Sequence, residues 1–235
     1  MVQKHKNDTI FSNEAKVYSL NNNSWKCVQG IPYYLFYKDF HGVLVNEVLH
    51  FIVTKELDFQ CQLIACFNLS TESFSYMECT GYDKELMRTE RLLSELGGCL
   101  CVVVTYHVRD SCIMEEADFW VMNEYGNKES WVRLFSISLP GNIGAYLQIK
   151  PLVYSRDGRR VLLEIDSLRL VWYDLESNKV VGCCKAHGLP DGALEMTKFV
   201  GSLLSLEVEE KLGQEKGTLP RKNNLKGYSY SLLSV

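Results

Sequence analysis

The stretch Asp118–Ile137, DFWVMNEYGNKESWVRLFSI, decides the fold. Phe119–Met122 is a short apolar and aromatic run, which is typical of a strand covered on both faces. Asn123–Ser130 is polar and contains Gly126, and residues of these types tolerate the positive φ that a chain reversal needs. In Trp131–Ile137, successive side chains then alternate between the two faces of a second strand. The stretch therefore predicts a β-hairpin.

The same pattern occurs at four places in the chain. In each copy, an apolar strand with an aromatic side chain precedes a polar turn rich in Asn, Asp or Ser. A second strand follows and begins with an aromatic residue or a valine. The copies recur about every 50 residues, which is the period expected of kelch-like propeller blades. Besides Asp118–Ile137, the copies are Lys16–Trp25, Ile64–Phe74 and Leu170–Val180.

A second type of hairpin, apolar and marked by glycine, alternates with the first. Its strongest two-residue turn signal is Asp157-Gly158, between Tyr154 and Val161. Two hairpins together make a four-stranded blade, the unit of a β-propeller. The sequence therefore predicts an all-β, kelch-like and incomplete propeller with about four repeats of four-stranded antiparallel blades. The glycine-marked hairpins are His41–Thr54 with its turn at Asn46-Glu47, Leu96–His107, Leu152–Ile165 and Phe199–Val208.

Three segments depart from the hairpin pattern. Lys84–Leu96 is the best helix candidate, although its loosely helical apolar spacing supports only one or two turns. Residues 1–13 are polar and predict an irregular N-terminal remnant before a domain at 14–208. Residues 209–235 are predicted to form a disordered tail, since Lys211–Lys226 is polar and contains glycine.

Composition narrows the classes of function. The net charge is −4, and charged residues of both signs are mixed along the chain. The sequence therefore contains no basic region that would predict nucleic-acid binding. No apolar run approaches the roughly 20 residues of a membrane helix, which predicts no membrane partner. The polar N-terminus does not resemble a signal peptide. Its nine cysteines are therefore interpreted as reduced, buried thiols of a cytoplasmic or nuclear protein, in preference to disulfides.

No motif for chemistry is found. The histidines are scattered, and Cys99 and Cys101 are too close together for a zinc knuckle. A Cys–His site with His107 is a weak alternative. The pair Glu115-Glu116 is interpreted as part of a solvated loop. The sequence thus predicts no catalytic residue, no cofactor and no metal, and a propeller hydrolase would need convergent titratable groups with shifted pKa values.

Two stretches are candidates for contact with a partner. Ile31–Phe40 is crowded with aromatic residues, which would either cover the end of a sheet or form a binding face. The predicted loop Arg109–Glu116 is a second candidate, because loops carry binding on rigid β scaffolds. The tryptophans of the repeated hairpins, Trp25, Trp120, Trp131 and Trp172, are predicted to pack between blades. The candidate partner-binding residues are Tyr33, Tyr34, Phe36, Tyr37, Arg109, Asp110, Glu115 and Glu116.

The segment Trp120–Trp131, WVMNEYGNKESW, closely resembles the signature of the F-box-associated (interaction) domain, type 1, of plant F-box proteins. The resemblance extends over about residues 10–208 through further motifs in the same order. These are Glu14–Leu20 with Ser24-Trp25, His41–Phe51, Phe67–Phe74, Leu96–Cys101 and Val171–Leu175.

The resemblance implies a kelch-like propeller that recognises the target protein of an SCF-type (Skp–cullin–F-box) E3 ubiquitin ligase. It also implies that a Skp-type adaptor and cullin would bind only through an F-box. No F-box is found, so the chain resembles an N-terminally truncated member with an exposed sheet edge near Ala15–Val28. Its target protein is not identified. The alternatives are a fragment that binds a target without recruiting the ligase and, less favoured, a propeller hydrolase.

Overall fold

A computed structural model describes residues 2–4, 12–19, 22–35, 42–54, 62–80, 87–108, 114–138 and 148–184. These residues form sixteen β-strands, one turn of 3-10 helix and no α-helix. All strand pairs are antiparallel, and the strands assemble into four sheets. The all-β prediction is therefore confirmed.

Two sheets come from the first half of the described chain. Sheet 1 has the strand order β1-β2-β3, and sheet 2 has the order β4-β6-β7-β8, with β5 also paired to β6. The bounds are β1 (Val2–Lys4), β2 (Ser12–Ser19), β3 (Ser24–Val28), β4 (Tyr34–Leu35), β5 (Val43–Val45), β6 (Val48–Thr54), β7 (Gln62–Asn68) and β8 (Ser73–Glu78).

Two further sheets come from the second half. Sheet 3 has the order β12-β11-β10-β9, and sheet 4 the order β13-β14-β15-β16. The 3-10 turn, Lys128–Ser130, lies between β11 and β12. The bounds are β9 (Met87–Leu96), β10 (Cys99–Val108), β11 (Met114–Met122), β12 (Trp131–Ser138), β13 (Ile149–Tyr154), β14 (Arg160–Ile165), β15 (Arg169–Asp174) and β16 (Lys179–Cys184).

All four polar-turn hairpins predicted from the sequence are present, as β2–β3, β7–β8, β11–β12 and β15–β16. In the second of them, the side-chain oxygen of Asn68 accepts the backbone N–H groups of Ser70 and Thr71, both at 2.9 Å. An asparagine at this position can bend the chain because its side chain replaces backbone hydrogen bonds. Local turn chemistry therefore explains why the hairpins were visible in the sequence.

Two of the glycine-marked hairpins, His41–Thr54 and Leu152–Ile165, are confirmed in their described residues as β5–β6 and β13–β14. The prediction is wrong for Leu96–His107, which is a turn at Gly97-Gly98 followed by the single strand β10, whose hairpin partner is β9. Asn46 and Glu47 have φ values of 50° and 62°, as a two-residue turn between twisted strands requires. Asp157-Gly158 does not form the predicted two-residue turn. The backbone N–H of Ser155 donates to Arg160 O at 2.9 Å, so residues 156–159 form a longer loop. The Asp157 carboxylate accepts hydrogen bonds within this loop region, from the Ser155 hydroxyl and the backbone N–H of Arg159. Phe199–Val208 lies outside the described residues.

The helix predicted at Lys84–Leu96 is wrong for the described part, which is strand β9. Leu92 and Leu96 pack in the core with sheet 4, whereas Leu93 packs in the core with sheet 2. A strand that is buried on both faces carries adjacent apolar residues, and their spacing imitates a helical face. The polar segment 1–13 is likewise not wholly irregular, since Val2–Lys4 pairs with β2.

The sheets stack through cores on both faces of sheet 3. One core lies between sheets 3 and 4 and the other between sheets 2 and 3, while a smaller cluster covers the opposite face of sheet 2. The first strand of sheet 3, β9, contacts β5 and β6 of sheet 2 and β13 of sheet 4. Sheets 2 and 4 thus both pack against sheet 3 near its first strand, as neighbouring blades do in a propeller arc.

The tryptophans do not all pack as predicted. Trp120 is buried, and Trp131 and Trp172 are half-buried. Trp25 is 69% exposed and contacts the ring of Tyr18 at 5.0 Å, so the packing prediction is wrong for this residue. The reason is that β3 is the last strand of sheet 1, and most of its residues are exposed. Among the described strands, none pairs with the outer side of β3, so an edge lies within Ala15–Val28 as predicted.

Among the described cysteines the thiols are free, but their exposure differs. Cys66 and Cys101 are buried, whereas Cys27 and Cys183 are exposed, so the prediction of burial is wrong for the latter pair. Burial raises the pKa of Cys66 to about 11 and also raises the pKa of Cys101. The thiolate is the reactive form, so both effects suppress reaction at the buried pair.

Brief treatment of the folded protein with N-ethylmaleimide should label Cys27 and Cys183 and leave Cys66 and Cys101 unmodified. Peptide mapping by mass spectrometry reports each site separately. The same treatment in urea, where all four thiols become accessible, is the control. Labelling of Cys101 as fast as that of Cys27 in the folded protein would contradict this arrangement of the sheets.

Candidate functional site

The four-stranded topology gives sheets 2 to 4 two different ends. Both hairpin types reverse at the same end, which we call the turn end. Backbone hydrogen bonds join neighbouring turns there, from Leu69 N to Glu47 O at 3.1 Å and from Leu175 N to Arg159 O at 2.9 Å. The opposite end, the loop end, is where β6, β8, β10 and β12 finish. Connections between the strands of a rigid scaffold are the usual carriers of recognition.

The structure places the described candidate residues at the loop end of sheets 2 and 3. Tyr34 lies in β4 and pairs with Thr54 at the end of β6. Glu115 and Glu116 lie in strand β11 and not in a loop, which corrects the sequence interpretation. Glu115 is the extra residue of a β-bulge and is exposed, and bulges commonly redirect side chains beside functional sites.

The remaining candidates divide into two groups. Tyr33 faces the other side of sheet 2, where its ring meets that of Tyr76 edge-on at 4.8 Å. This contact supports the interpretation of Tyr33 as a residue that covers the sheet. Phe36, Tyr37, Arg109 and Asp110 lie outside the described residues.

The facing surfaces of sheets 2 and 3 form a seam that changes character along its length. From the turn end to the middle it is apolar, with Ile52 and Ile64 of sheet 2 against Val102 and Val104 of sheet 3. At the loop end it is polar. Because opposed residues of an antiparallel pair share a face, the cross-strand row Tyr34–Thr54–Gln62 faces sheet 3 there.

Two residues of this row are buried, since Thr54 is 0% exposed and Gln62 is 8% exposed. Among the described residues, Thr54 Oγ1 and Gln62 Oε1 have no hydrogen-bond partner. Buried polar atoms nearly always form hydrogen bonds. Two buried oxygen atoms that lack them therefore indicate a position where a ligand could donate hydrogen bonds.

A buried carboxylate lies on the sheet 3 side of the seam. The Tyr106 hydroxyl donates to Asp118 Oδ2 at 3.1 Å, and the Ser136 hydroxyl donates to Oδ1. The Arg133 guanidinium is 3.7 Å from the same carboxylate. Burial, and next the charge of Asp118, raise the pKa of Tyr106, so this hydroxyl stays protonated and continues to donate.

Arg91 joins the two sides of the seam. It is buried, and its Nε donates to the backbone oxygen of Thr80, just beyond β8, at 3.1 Å. Arg91 and Asp118 flank Val104 across the sheet, while Glu116 pairs with Tyr106 one row nearer the loops. The described part of this end of the seam thus contains the carboxylates of Asp118 and Glu116 together with the guanidinium of Arg91.

The opposite face of sheet 3 carries a second polar group at the loop end. Thr105 Oγ1 lies 3.2 Å from His107 Nε2, and the same nitrogen is 3.8 Å from Glu90 Oε2. His107 is buried and 1% exposed. Within the part of the chain that the structure describes, no group of three or more His, Cys, Asp or Glu side chains could hold a metal.

Sequence reasoning missed the polar residues inside the seam. Thr54, Gln62, Arg91, Tyr106 and Asp118 sit in or beside apolar strand runs, where a polar side chain is the only available signal. That signal does not show which side chains face each other, because this depends on how the sheets stack.

A single histidine connects sheets 2 and 3 nearer the turn end. His50 is fully buried, with Nδ1 3.0 Å from Val43 O and Nε2 2.9 Å from the Tyr125 hydroxyl. Neutral imidazole fits this geometry, with Nδ1 donating and Nε2 accepting. Burial is the largest influence and lowers the pKa of His50, although backbone hydrogen bonds to Val43 and Val48 oppose it.

The lowered pKa of His50 predicts a loss of stability in acid. The unfolded state takes up the proton near the ordinary pKa of 6.5, before the folded state does. Neutral His50 therefore makes its full contribution to the free energy of unfolding above that pH. This contribution is lost as the pH falls toward the lower pKa of the folded state. Urea unfolding at pH 7.5 and 5.5 should show a smaller decrease for His50→Gln than for the unmutated protein, and equal decreases would contradict the prediction.

The geometry of the sheets defines a class of protein. Successive antiparallel sheets of three to five strands, with sheet 3 packed between sheets 2 and 4, are the blades of a β-propeller scaffold. No helix in the described ranges is long and apolar enough to cross a membrane.

Within this class, residues 1–201 match the model of the F-box associated beta-propeller domain, and the chain belongs to that family. F-box protein CPR1 of Arabidopsis thaliana is 32% identical over 184 aligned residues, which cover 72% of this chain and 43% of that protein. F-box protein At4g22390 of the same plant is 29% identical, with 71% and 42% covered. The chain therefore spans less than half the length of these curated relatives.

The chain is also similar to part of a solved structure. The beta-propeller domain of the Trilobed protease from Pyrococcus furiosus aligns over 66% of this chain and 44% of that chain, with a TM-score of 0.31 and 15% identity. At that TM-score the likeness carries no argument about activity.

Proposed function

We propose that this domain is the target-recognition part of an F-box protein that acts as a substrate receptor of an SCF-type E3 ubiquitin ligase. The observation that carries the proposal is the polar loop end of the seam, where Tyr34 and Glu116 come to the same end of two adjacent sheets. The domain holds a target protein there. A Skp-type adaptor and cullin are reached through an F-box and not through this surface.

The proposed role is non-enzymatic, and the chemistry of the described side chains supports it. A nucleophilic cysteine needs a lowered pKa, whereas burial raises the pKa of Cys66 and Cys101. His107 and Glu90 form an acid–base pair, but His107 is only 1% exposed and so is poorly placed to meet a substrate. The proposal needs no cofactor or metal, and it places the protein in the cytoplasm or nucleus.

Affinity capture from plant-cell extract tests the proposal. The tagged chain serves as bait beside two charge-reversal variants, Glu116→Lys at the loop end and Glu129→Lys at the turn end. Charge reversal at a recognition surface should weaken binding about tenfold or more, so specific partners should disappear with Glu116→Lys alone. Circular dichroism of both variants checks that each is folded.

Two results would contradict the proposal. One is a set of partners that Glu116→Lys leaves unchanged or that Glu129→Lys removes equally. The other is recovery of adaptor and cullin with this chain in the absence of any full-length F-box protein, since that would place ligase assembly on the domain itself.

A further inference from the structure

We propose that the turn between β11 and β12, residues 123–130, is an acid-sensitive latch between sheets 2 and 3. The hydroxyl of Tyr125 closes the latch on His50, and uptake of a proton by His50 opens it. This inference concerns a conformational change at the turn end and does not depend on the proposed function.

The turn is a closed unit that one hydrogen bond attaches to sheet 2. At its base, the backbone N–H of Asn123 donates to Ser130 O at 3.2 Å, and the Ser130 hydroxyl donates to Glu124 O at 2.9 Å. Among the described residues, the bond between the Tyr125 hydroxyl and His50 Nε2 is the only hydrogen bond that joins this turn to another sheet. Release of the turn from sheet 2 therefore breaks one hydrogen bond between the sheets and leaves the internal bonds of the turn in place.

Tyr125 lies over a cross-strand row of sheet 2. The row is formed by Val43, His50 and Cys66, which pair in register on β5, β6 and β7. The Tyr125 ring meets the His50 ring edge-on at 5.6 Å. Burial, and next the charge of the Cys66 thiolate, raise the pKa of Tyr125, so the phenol is also close to Cys66. His50 and Cys66 are buried whereas Tyr125 is 38% exposed, so displacement of Tyr125 should admit water to both side chains.

The hydrogen bonds of His50 fit the neutral imidazole and not the cation. Nδ1 donates to Val43 O at 3.0 Å, and Nε2 accepts from the Tyr125 hydroxyl at 2.9 Å. In the cation both ring nitrogens carry protons, so the hydroxyl of Tyr125 would have to turn its own proton away from Nε2. A buried cation without a paired carboxylate is costly, and hydration of the ring in the open latch relieves that cost.

The titratable groups around His50 do not offset this cost. Cys66 lies opposite His50 on β7, and burial raises its pKa to about 11, so the thiol stays neutral. Glu95 of β9 is on the face of sheet 3 that meets sheet 2, and its carboxylate accepts the backbone N–H of Gly98. The largest influence on the pKa of His50 is burial, and backbone hydrogen bonds oppose it. The charged residues of the two neighbouring turns are exposed, and these are Glu47, Glu124, Lys128 and Glu129.

The direction of the pH effect follows from the two states of the latch. In the open latch His50 regains its ordinary pKa of 6.5, whereas burial lowers the pKa of His50 in the closed latch. The closed latch is therefore fully favoured above pH 6.5, and this preference is lost as the pH falls toward the pKa of the closed state. Between pH 7.5 and 5.5, the equilibrium constant for opening should rise by about tenfold at most, since protonation of the open state sets this limit.

Labelling of the Cys66 thiol measures the opening. The folded chain reacts with methyl methanethiosulfonate at pH 7.5 and 5.5, and peptide mapping by mass spectrometry gives the rate at each thiol. Each rate is divided by that of a synthetic peptide of the same local sequence at the same pH, which removes the effect of pH on the thiol itself. When closing is faster than labelling, this ratio follows the population of the open latch.

The ratio for Cys66 should rise about five- to tenfold from pH 7.5 to 5.5 in the unmutated chain and less than about twofold in His50→Gln. Tyr125→Phe removes the hydroxyl and keeps the ring, so it should raise the Cys66 ratio at pH 7.5 about threefold or more. Cys101, which is buried between sheets 3 and 4, is the control for opening elsewhere. Its ratio should stay at least about tenfold below that of Cys66 at both pH values.

Four results would overturn the inference. They are a Cys66 ratio that does not change with pH, an equal rise in His50→Gln, equal ratios for Cys66 and Cys101, and no effect of Tyr125→Phe at pH 7.5. Circular dichroism at both pH values checks that each variant is folded during labelling.

Discussion

Replacing Phe119 with alanine should lower the free energy of unfolding by about 3–5 kcal/mol. Phe119 is 0% exposed and stacks on Phe135 with ring centroids 4.2 Å apart. Phe135 in turn stacks on Tyr173 of sheet 4 at 5.1 Å. Removal of the first ring leaves a cavity against this stack, and the sheets on either side limit how far it can close.

Urea unfolding followed by tryptophan fluorescence measures the effect of Phe119→Ala. Val132→Ala is a matched control, since Val132 lies on the neighbouring strand β12 but is 47% exposed. A surface truncation of that kind changes stability by about 0.5 kcal/mol or less. A loss below about 1 kcal/mol for Phe119→Ala would mean that this core collapses freely, contrary to the stacked arrangement.

Replacing Asp118 with alanine should cost about 3 kcal/mol, because it leaves two buried or half-buried hydroxyl donors without their acceptor. The donors are Tyr106, which is fully buried, and Ser136. Arg133 also loses its carboxylate neighbour, but it is largely exposed and should contribute little.

A double-mutant cycle separates the hydrogen bond from general loss of packing. Tyr106→Phe alone should cost about 1 kcal/mol, since Asp118 loses a donor. In the Asp118→Ala background, the same change should cost nothing or restore up to about 1 kcal/mol, because it removes a buried hydroxyl that has lost the Asp118 carboxylate. If Tyr106→Phe lowers the free energy of unfolding equally in the two backgrounds, the side chains of Tyr106 and Asp118 are not energetically coupled.

The hairpins could be predicted because their causes are local. Asn46-Glu47, Asn68 and the Gly97-Gly98 pair specify reversals within a few residues, and apolar alternation specifies the strands on either side. Strand β9 was mistaken for a helix because its apolar residues serve two cores at once. The number of faces that a strand buries depends on the neighbouring sheets and not on its own sequence.

The candidate site was predicted only in outline. Residue type and expected loop position predicted Tyr34 and Glu116 as candidates. The stacking of sheets 2 and 3, which their sequence does not show, places both at one end of the same seam. Gln62 and Arg91 carried no local sign of their role. The His50–Tyr125 bond spans 75 residues, which illustrates how such contacts depend on the assembled fold.

The order of strands within each sheet also has a consequence for synthesis of the protein on the ribosome. In sheets 3 and 4, every strand pairs with its immediate neighbour in the chain. Each of these sheets can therefore form as soon as its last strand has left the exit tunnel, without waiting for distant sequence. We expect blade-by-blade assembly during translation, so the half-made chain exposes little more than one unfinished sheet at a time.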